Sequence, residues 1–378
     1  MEIELIQDVE VSPNVRDKAD VACAYPITQV LDNGDIACLY RRGKEKHSYD
    51  GVLVLQMSSD RGVTWSEPKV VFDGRNMQPA QSAITGAVCQ TGQGDLLVNA
   101  SLVDASKPDV YVFSKEGMTF NRWLYTVRSV DGGKTWGCPE PFSPAPFEWA
   151  GIITNPFLLP DGALFMPHSV QTEYGPLGTA GCLSHDGART FGPLSMCLAD
   201  PEGELNFCDS YFTTLRNNEV LSLIWTFRHD NSHTINLHQS ISKDNGRTWS
   251  PPVDTGMCGE TCAPLALSSG PVIAAASYRQ LPEGIRLYMS TDGGTTWEVD
   301  HPIQMWDDAR GCVLGRPAVE VAGELKREDI WEALTRYSFG TPNLVELDDN
   351  SVLLIYYAMK ENRYHIRACR FRVADASE

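Results

Sequence analysis

The sequence lacks a long apolar run, a paired cysteine framework and a basic leader. No stretch reaches the roughly 18 apolar residues that a membrane-spanning helix requires. The first residues, MEIELIQDVE, have neither the basic segment nor the apolar core of a secretion signal. The eleven cysteines are scattered singly, which fits a reducing compartment better than a disulfide-stabilised fold. We therefore expect a cytoplasmic protein with no membrane partner.

Positive charge is also scarce, because 31 Lys and Arg stand against 49 Asp and Glu, a net charge of −18. Nucleic acids and anionic membranes bind basic surfaces, so neither is an expected partner. Cys258 and Cys262 have no second cysteine pair to complete a zinc site. Strand alternation separates His238 from His229 and His233, and no loop has the regular acidic spacing of a calcium site. The sequence thus predicts no metal and no cofactor.

One short pattern, Ser-x-Asp-x-Gly-x-Thr-Trp, occurs five times with small departures. The copies are SSDRGVTW (58–65), SVDGGKTW (129–136), SHDGARTF (184–191), SKDNGRTW (242–249) and STDGGTTW (290–297). Ser and Asp side chains can bond the backbone of their own turn, and Gly permits the positive φ that such a turn needs. Thr and Trp suit the start of a strand. We interpret the box aspartates as structural turn residues.

Pairs of apolar strands joined by tight polar turns form a second repeat with six copies. The turns are LDNGDI (31–36), TGQGDL (91–96), LPDGAL (159–164), RNNEVL (216–221), LSSGPV (267–272) and LDDNSV (347–352). The first five modules read strand, hairpin, strand, longer connection, strand, box, strand, which describes a four-stranded antiparallel blade. Six such modules account for the chain, so the sequence predicts one all-β domain over 1–378, a six-bladed β-propeller.

The sixth module lacks a box, and its last strand is RYHIRACRFRV (363–373). The alternating segment EIELIQDVEV (2–11) is predicted to complete this blade and close the ring. A longer insertion precedes the sixth hairpin, and GELKREDIWEALTR (323–336) within it has helical composition and spacing. A short helix is therefore predicted before the last blade.

The topology places particular side chains on one face. Hairpins and boxes lie at one end of an antiparallel blade, and the middle connections lie at the other end, here called the upper face. Binding residues concentrate in such long connections. The upper face gathers Arg41, Arg42, Arg228, Arg279, Arg310 and Arg316, with Asp50, Asp209, Glu173, Glu260, His168 and His229. For one arginine, pairing with a nearby acid is the simpler explanation. Six together favour an anionic ligand, which guanidinium groups bind bidentately.

Boxes of this type on a six-bladed propeller resemble the sialidase (neuraminidase) superfamily over essentially the full chain. The resemblance implies an acidic sugar or oligosaccharide ligand, an arginine triad for its carboxylate, an Asp acid/base, and a Tyr nucleophile activated by a Glu. Arg42 and Asp50 resemble the family's loop arginine and acid/base. Arg228 resembles the second triad arginine, and Arg316 is a candidate for the third. Asp209 lies where the family has its Glu.

Two positions depart from the family pattern. The segment CAYPITQV (23–30) contains Pro26 but no preceding arginine, so the first triad member is missing. Thr341 lies where the nucleophilic Tyr should be. Tyr337 lies four residues earlier, and Tyr174 and Tyr278 share the predicted upper face, but none of the three fits the family pattern.

Three functions remain open. In a glycoside hydrolase, Asp50 would donate the proton and Asp209 would act as nucleophile or as base toward water, while arginines hold an acidic sugar. In a lyase on uronate-containing glycans, His168 or a tyrosine would abstract the proton beside a carboxylate neutralised by Arg. Glu173 is a further acidic candidate on this face. The third function is glycan binding without chemistry. The hydrolase is favoured because it explains both the carboxylates and the arginines.

Overall fold

The structure, a computed structural model, describes residues 2–12, 21–106, 122–152, 154–230, 232–318, 337–360 and 363–374. These residues form 26 β-strands in six antiparallel sheets, and they include no helix. The helix predicted over 323–336 lies outside the described residues. Within the described ranges there is accordingly no helix with the length and apolar character that a membrane crossing requires.

The first three sheets follow one another along the chain and share one strand order. Their strands are β2 (Ala22–Val30), β3 (Ile36–Gly43), β4 (Val52–Ser58) and β5 (Lys69–Phe72); β6 (Gln81–Gln90), β7 (Leu96–Asp104), β8 (Arg122–Ser129) and β9 (Glu140–Phe142); and β10 (Ala150–Gly151), β11 (Phe157–Leu158), β12 (Leu164–Gln171), β13 (Leu177–Ser184) and β14 (Ser195–Leu198). In the third sheet β10 and β11 both pair with β12, so its innermost strand is interrupted.

The remaining sheets complete the ring. Their strands are β15 (Leu205–Thr214), β16 (Val220–Arg228), β17 (Asn236–Ser242) and β18 (Val253–Cys258); β19 (Cys262–Ala266), β20 (Val272–Tyr278), β21 (Gly284–Ser290), β22 (Glu298–Asp307) and β23 (Cys312–Pro317); and β24 (Phe339–Glu346), β25 (Val352–Lys360), β26 (Arg363–Val373) and β1 (Ile3–Glu10). The fifth sheet thus carries β23 as an extra outer strand. The predicted six-bladed propeller is confirmed.

The N-terminal strand closes the ring as predicted. β1 pairs antiparallel with β26, with Leu5 opposite Phe371 and Glu10 opposite Arg367. The Arg367 guanidinium forms an ion pair with Asp8 and lies 3.7 Å from Glu10 Oε1. This pairing joins the two ends of the described chain in one sheet, with β1 as the outermost strand of the last blade, so β26 is not left as an unpaired edge.

The apolar core lies between neighbouring blades. Tyr40 and Ile36 of the first blade pack with Leu353 and Ile355 of the sixth, and all four side chains are buried. Burial of each such aliphatic side chain contributes about 2 kcal/mol to folding. The innermost strands of neighbouring sheets also contact one another. This packing fixes the strand ends, and with them the connections of the upper face.

The five boxes are structural turns, as predicted. In the second box, Asp131 accepts hydrogen bonds from the Thr135 amide (2.8 Å), the Thr135 hydroxyl (2.6 Å) and the Ser129 hydroxyl (2.8 Å). Gly132 and Gly133 have φ values of 70° and 83°, which only glycine adopts without strain. These hydrogen bonds, first among them that from Thr135, lower the pKa of Asp131 well below its usual value. The boxes therefore belong to the scaffold.

Candidate functional site

Arg41 holds the loop of residues 44–50, which connects β3 to β4 on the upper face. Its side chain is buried. Nε donates to the Ala83 carbonyl (2.9 Å), Nη1 to the Glu45 carbonyl (2.7 Å), and Nη2 to the Ser48 carbonyl. These bonds join the 44–50 loop to the second blade. Arg41, predicted as a ligand-binding residue, therefore positions the loop that carries Lys46, His47 and Asp50.

Asp50 lies at the end of this loop with its carboxylate turned back onto the loop. It accepts a hydrogen bond from the Ser48 hydroxyl (2.5 Å), and the Lys44 amide donates to both of its oxygens (3.1 and 3.2 Å). Partial burial acts to raise the pKa of Asp50, but the bonds from Ser48 and Lys44, together with the charge of Arg41, lower it below its ordinary value. The carboxylate is therefore charged at neutral pH.

Lys46 extends from the same loop into a group of tyrosine side chains, here called the tyrosine cage. Its ammonium nitrogen lies 4.9–5.9 Å from the centroids of four rings, those of Tyr25, Tyr337, Tyr357 and Tyr364. Nζ also donates to the Tyr337 carbonyl (3.0 Å). Aromatic rings arranged in this way attract an ammonium group. Lys46 thereby connects the loop of the first blade to the sixth blade.

Tyr25 and His47 form a hydrogen-bonded pair beside the cage. The Tyr25 hydroxyl bonds His47 Nε2, and the two rings stack with their centroids 5.8 Å apart. Burial, followed by the charges of Lys46 and Arg41, lowers the pKa of His47 well below its ordinary value. The imidazole is therefore neutral at pH 7, and a neutral imidazole can accept a proton.

Glu260, Tyr337 and Arg279 form a second cluster next to Lys46. The Tyr337 hydroxyl donates to Glu260 Oε1 (3.0 Å), and Arg279 Nε lies 3.4 Å from Glu260 Oε2. The Arg279 guanidinium stacks on the Tyr337 ring at 3.8 Å and also donates to the Phe339 carbonyl. Burial raises the pKa of Glu260, although Arg279 and Tyr337 oppose the shift. These contacts place a tyrosine, a carboxylate and a guanidinium in one buried unit.

Three residues with positive φ bend the innermost strands at the upper face. Tyr25, Asp209 and Thr341 have φ values of 57°, 47° and 44°, and each lies at a register shift of its strand. The conformation is strained for a β-branched residue such as Thr341, whose buried hydroxyl has no hydrogen-bond partner in the described part of the chain. Asp209 is buried and accepts from Cys208 Sγ at 2.9 Å. Strain of this kind concentrates at functional sites.

Three other predicted arginines lie on the first and fifth blades. Arg42 is half-buried on β3, with its side chain on the same strand face as Tyr40. Arg310 is 59% exposed and lies 3.5 Å from the Asp307 carboxylate. Arg316 is exposed on β23, the outermost strand of the fifth blade. Of the six arginines predicted for the upper face, Arg279 is the one that contacts both Tyr337 and Glu260.

The remaining predicted residues lie near the third and fourth blades. Arg228 and His229 are exposed at the end of β16, and Glu173 is exposed on the neighbouring connection. His168 is buried, stacks on Phe142 with centroids 5.2 Å apart, and lies 3.2 Å from Asn99 Nδ2. Burial lowers the pKa of His168 to about 4. His168 therefore packs between the second and third blades as a neutral side chain.

Sequence reasoning did not single out Lys46, His47 or Tyr25. Lys46 and His47 lie between Arg42 and Asp50, which it had assigned to the upper face, and Tyr25 precedes Pro26 in the segment compared with the family pattern, so the missing signal was side-chain direction. Within the described ranges, no three His, Cys, Asp or Glu side chains are grouped to hold a metal ion.

Comparisons with known proteins agree with this architecture. The sequence model of the BNR repeat-like domain family matches residues 87–307, more than half of the chain. No curated protein sequence matches. A crystal structure of a protein of unknown function from Dyadobacter fermentans DSM 18053 is 18% identical, with a TM-score of 0.75, and covers 98% of this chain and 99% of its own.

Two solved sialidases share the fold at lower identity. The Hadza microbial sialidase Hz136 is 16% identical with a TM-score of 0.65, over 94% of this chain and 66% of its own. The Trypanosoma rangeli sialidase is 12% identical with a TM-score of 0.63, over 92% of this chain and 54% of its own. This chain thus spans about half to two thirds of these sialidases. It belongs to the BNR repeat-like domain family and is a sialidase-like BNR β-propeller.

Proposed function

We propose that this protein is a glycoside hydrolase that cleaves the glycosidic bond of an acidic sugar at the upper face. The observation that carries the proposal is the Tyr337–Glu260 hydrogen bond of 3.0 Å, with Arg279 bound to the same carboxylate. A Tyr paired with a carboxylate is the arrangement that the sialidase resemblance implies, although Thr341 occupies the expected Tyr position. A similar fold, the T. rangeli sialidase, has been solved in complex with sialic acid.

Tyr337 would act as the nucleophile. Its hydroxyl proton passes to Glu260 as the phenolic oxygen bonds the anomeric carbon and the glycosidic bond breaks. Water then releases the sugar, and the proton returns from Glu260 to Tyr337. Arg279 opposes the rise in the pKa of Glu260 that burial causes, and so favours the ionised form that can accept the proton.

The 44–50 loop would supply the other groups. Asp50 is the candidate that protonates the leaving oxygen and later activates water, as the family resemblance implies. The Lys46 ammonium and the Arg279 guanidinium both lie near the Tyr337 ring, 5.9 and 3.8 Å from its centroid. A sugar carboxylate bound between them would find the charge that the absent arginine of the first blade does not provide.

A uronate-glycan lyase is the second candidate, and the Tyr25–His47 pair favours it. Tyr25 would remove the proton on the carbon beside the carboxylate and pass its own hydroxyl proton to neutral His47. The carbon's electron pair would form the new double bond as the glycosidic oxygen leaves, taking a proton from His47. Lys46 would neutralise the carboxylate, which stabilises the developing negative charge.

A panel of sialosides and uronic-acid oligosaccharides separates these functions. Released sugar without new ultraviolet absorbance indicates hydrolysis, and absorbance from an unsaturated product indicates the lyase. Tyr337→Phe and Glu260→Gln should abolish hydrolysis, whereas Tyr25→Phe and His47→Gln should abolish elimination. Tyr174→Phe, at a half-exposed tyrosine, serves as the control for both.

Turnover that survives both Tyr337→Phe and Glu260→Gln would exclude the hydrolase mechanism. Binding of an acidic sugar without any turnover would leave the third function, glycan recognition.

A further inference from the structure

Arg286, on β21 of the fifth blade, is buried and has no acidic partner among the described residues. Its side chain is 5% exposed, and Nε and Nη2 are buried without a hydrogen bond. The guanidinium carbon lies 3.3 Å from the centroid of the Tyr278 ring. Arg41 and Arg367 are comparably buried, and each has several acceptors. Arg286 is therefore a positive charge that the described chain does not neutralise, in a protein with a net charge of −18.

An unsatisfied acceptor lies opposite this arginine. Arg286 and Gln304 are direct partners on the antiparallel strands β21 and β22. Directly opposed side chains leave the same face of a sheet with Cβ atoms about 5 Å apart. Gln304 is 2% exposed; its Nε2 donates to the Trp306 carbonyl (2.6 Å), while its Oε1 has no partner in the described ranges. The unsatisfied donors of Arg286 and the unsatisfied acceptor of Gln304 thus lie on the same face of the sheet, at directly opposed positions.

This location is distinct from the cluster around Tyr337. Tyr278 ends β20 and Arg279 follows it, and the two side chains make different contacts. Arg279 faces Tyr337, whereas Tyr278 and Arg286 face the fourth blade, where the Tyr288 hydroxyl donates to the Cys258 carbonyl (2.9 Å). Tyr278 and Cys258, which lie near Arg286, are only half-buried.

We propose that Arg286 and Gln304 form a separate binding site for a small oxyanion that also carries a hydroxyl group. The oxyanion would accept from the guanidinium, and the hydroxyl would donate to Gln304 Oε1. A uronate sugar and monohydrogen phosphate both have this chemistry. Leaving a buried charge unpaired is unfavourable, so such a ligand stabilises the folded protein. The site does not depend on the proposed hydrolysis.

Thermal unfolding of the wild type and Arg286→Met tests the proposal with four probes at matched ionic strength: phosphate, sulfate, D-glucuronate and D-glucose. In the wild type, phosphate and glucuronate should each raise the Tm by about 2 °C more than in Arg286→Met. General salt effects act on both proteins and cancel in this difference. Sulfate, which has no donor at neutral pH, should give a smaller difference, and glucose none. Equal shifts in both proteins would overturn the site.

The Tm values of the wild type and Arg286→Met in probe-free buffer give a second test. Arg286→Met removes an unpaired charge, so its Tm should equal or exceed that of the wild type. Arg279→Met, the matched control, leaves Glu260 buried without its cation and should unfold at lower temperature. A lower Tm for Arg286→Met in probe-free buffer would mean that Arg286 is a structural residue and would contradict the proposal.

A measurement on the wild type covers the case in which Arg286→Met does not fold. Cys258 lies beside Arg286, and peptide mass mapping can follow the rate of its alkylation. Phosphate or glucuronate should lower this rate several-fold. Cys138, which is exposed near the second box, reports any general effect on the reagent. An unchanged Cys258 rate with both anions would overturn the proposal. Protection by glucuronate alone would identify the ligand as a sugar acid, and protection by phosphate alone as an inorganic or phosphoryl anion.

Discussion

Replacing Arg279 by Met should destabilise the protein strongly, because Glu260 would remain buried without its cation. The two side chains are 13% and 7% exposed, and Nε lies 3.4 Å from the carboxylate. Removing one partner of such a pair costs about 3–5 kcal/mol in the free energy of unfolding at pH 7. Urea denaturation followed by tryptophan fluorescence measures this loss.

The double variant Arg279→Met/Glu260→Gln isolates the cause. A glutamine keeps an acceptor for the Tyr337 hydroxyl and carries no charge, so the double variant should recover most of the lost stability. Arg310→Met is the control, because Arg310 is 59% exposed and its pair with Asp307 is worth less than about 1 kcal/mol.

The pH dependence of the stability loss in Arg279→Met can refute the buried-pair reasoning. The pKa of Glu260 is raised in the folded protein above its ordinary value of 4.5, so the folded state binds this proton more tightly than the unfolded state. The contribution of Glu260 to stability is therefore highest at low pH and is lost as the pH rises through its folded pKa. Without Arg279 the pKa should rise further, so the loss should shrink on acidification. A loss below about 1 kcal/mol at pH 7, or one that does not shrink at low pH, would refute the buried-pair reasoning.

Three further predictions concern the box turn, the loop and the acid. The hydrogen bonds in the last box, first that from the Thr296 amide, lower the pKa of Asp292 from 3.8 to about 2. The wild type should therefore be more stable than Asp292→Asn above pH 4, and the difference in stability should vanish below about pH 2. Midpoints of urea denaturation measured across this pH range test the prediction. Lys46→Met should lower the hydrogen-exchange protection of the 44–50 loop about tenfold. Lys44→Met, at an exposed position, should leave this protection unchanged. If the loop is equally protected in the two variants, the role of the tyrosine cage is contradicted. If Asp50 is the proton donor, turnover should fall as the pH rises from the acidic range, because the pKa of Asp50 is lowered. Asp50→Asn should bind the sugar without cleaving it. Full activity in this variant would exclude Asp50 as the proton donor.

The fold could be predicted because its signals are local and repeated. A box needs only its own Ser, Asp, Gly and Thr to form the turn, and the same eight positions recur in five modules. Closure by β1 followed from strand alternation and from the missing fourth strand of the sixth module. None of these inferences depended on which distant side chains touch.

The candidate site could be predicted only as a face. Glu260, Arg279 and Tyr337 were all assigned to the upper face or its immediate neighbourhood, yet nothing local indicates that Tyr337 reaches a carboxylate 77 positions away. Neighbouring arginines show the same limit. Arg41 and Arg42 leave opposite faces of β3, and only the packing against Ala83 reveals that Arg41 supports the loop. Asp50, Asp209 and Arg228 as catalytic or binding residues stay predictions.

The placement of positive charge links the fold to the proposed chemistry. A protein with a net charge of −18 repels anionic sugars at long range unless its binding face is locally positive. Arg279 supplies local charge beside Tyr337, where it is bound by the Glu260 carboxylate and the Phe339 carbonyl, and Lys46 lies among the rings of the tyrosine cage. Burial lowers the pKa of Lys46 well below its ordinary value, so its charged form gains most from an anion bound beside it. An acidic ligand would provide that anion, and a neutral ligand would not. Binding should therefore remain selective for acidic over neutral sugars in Glu260→Gln, which removes a negative charge, and become less selective in Lys46→Met.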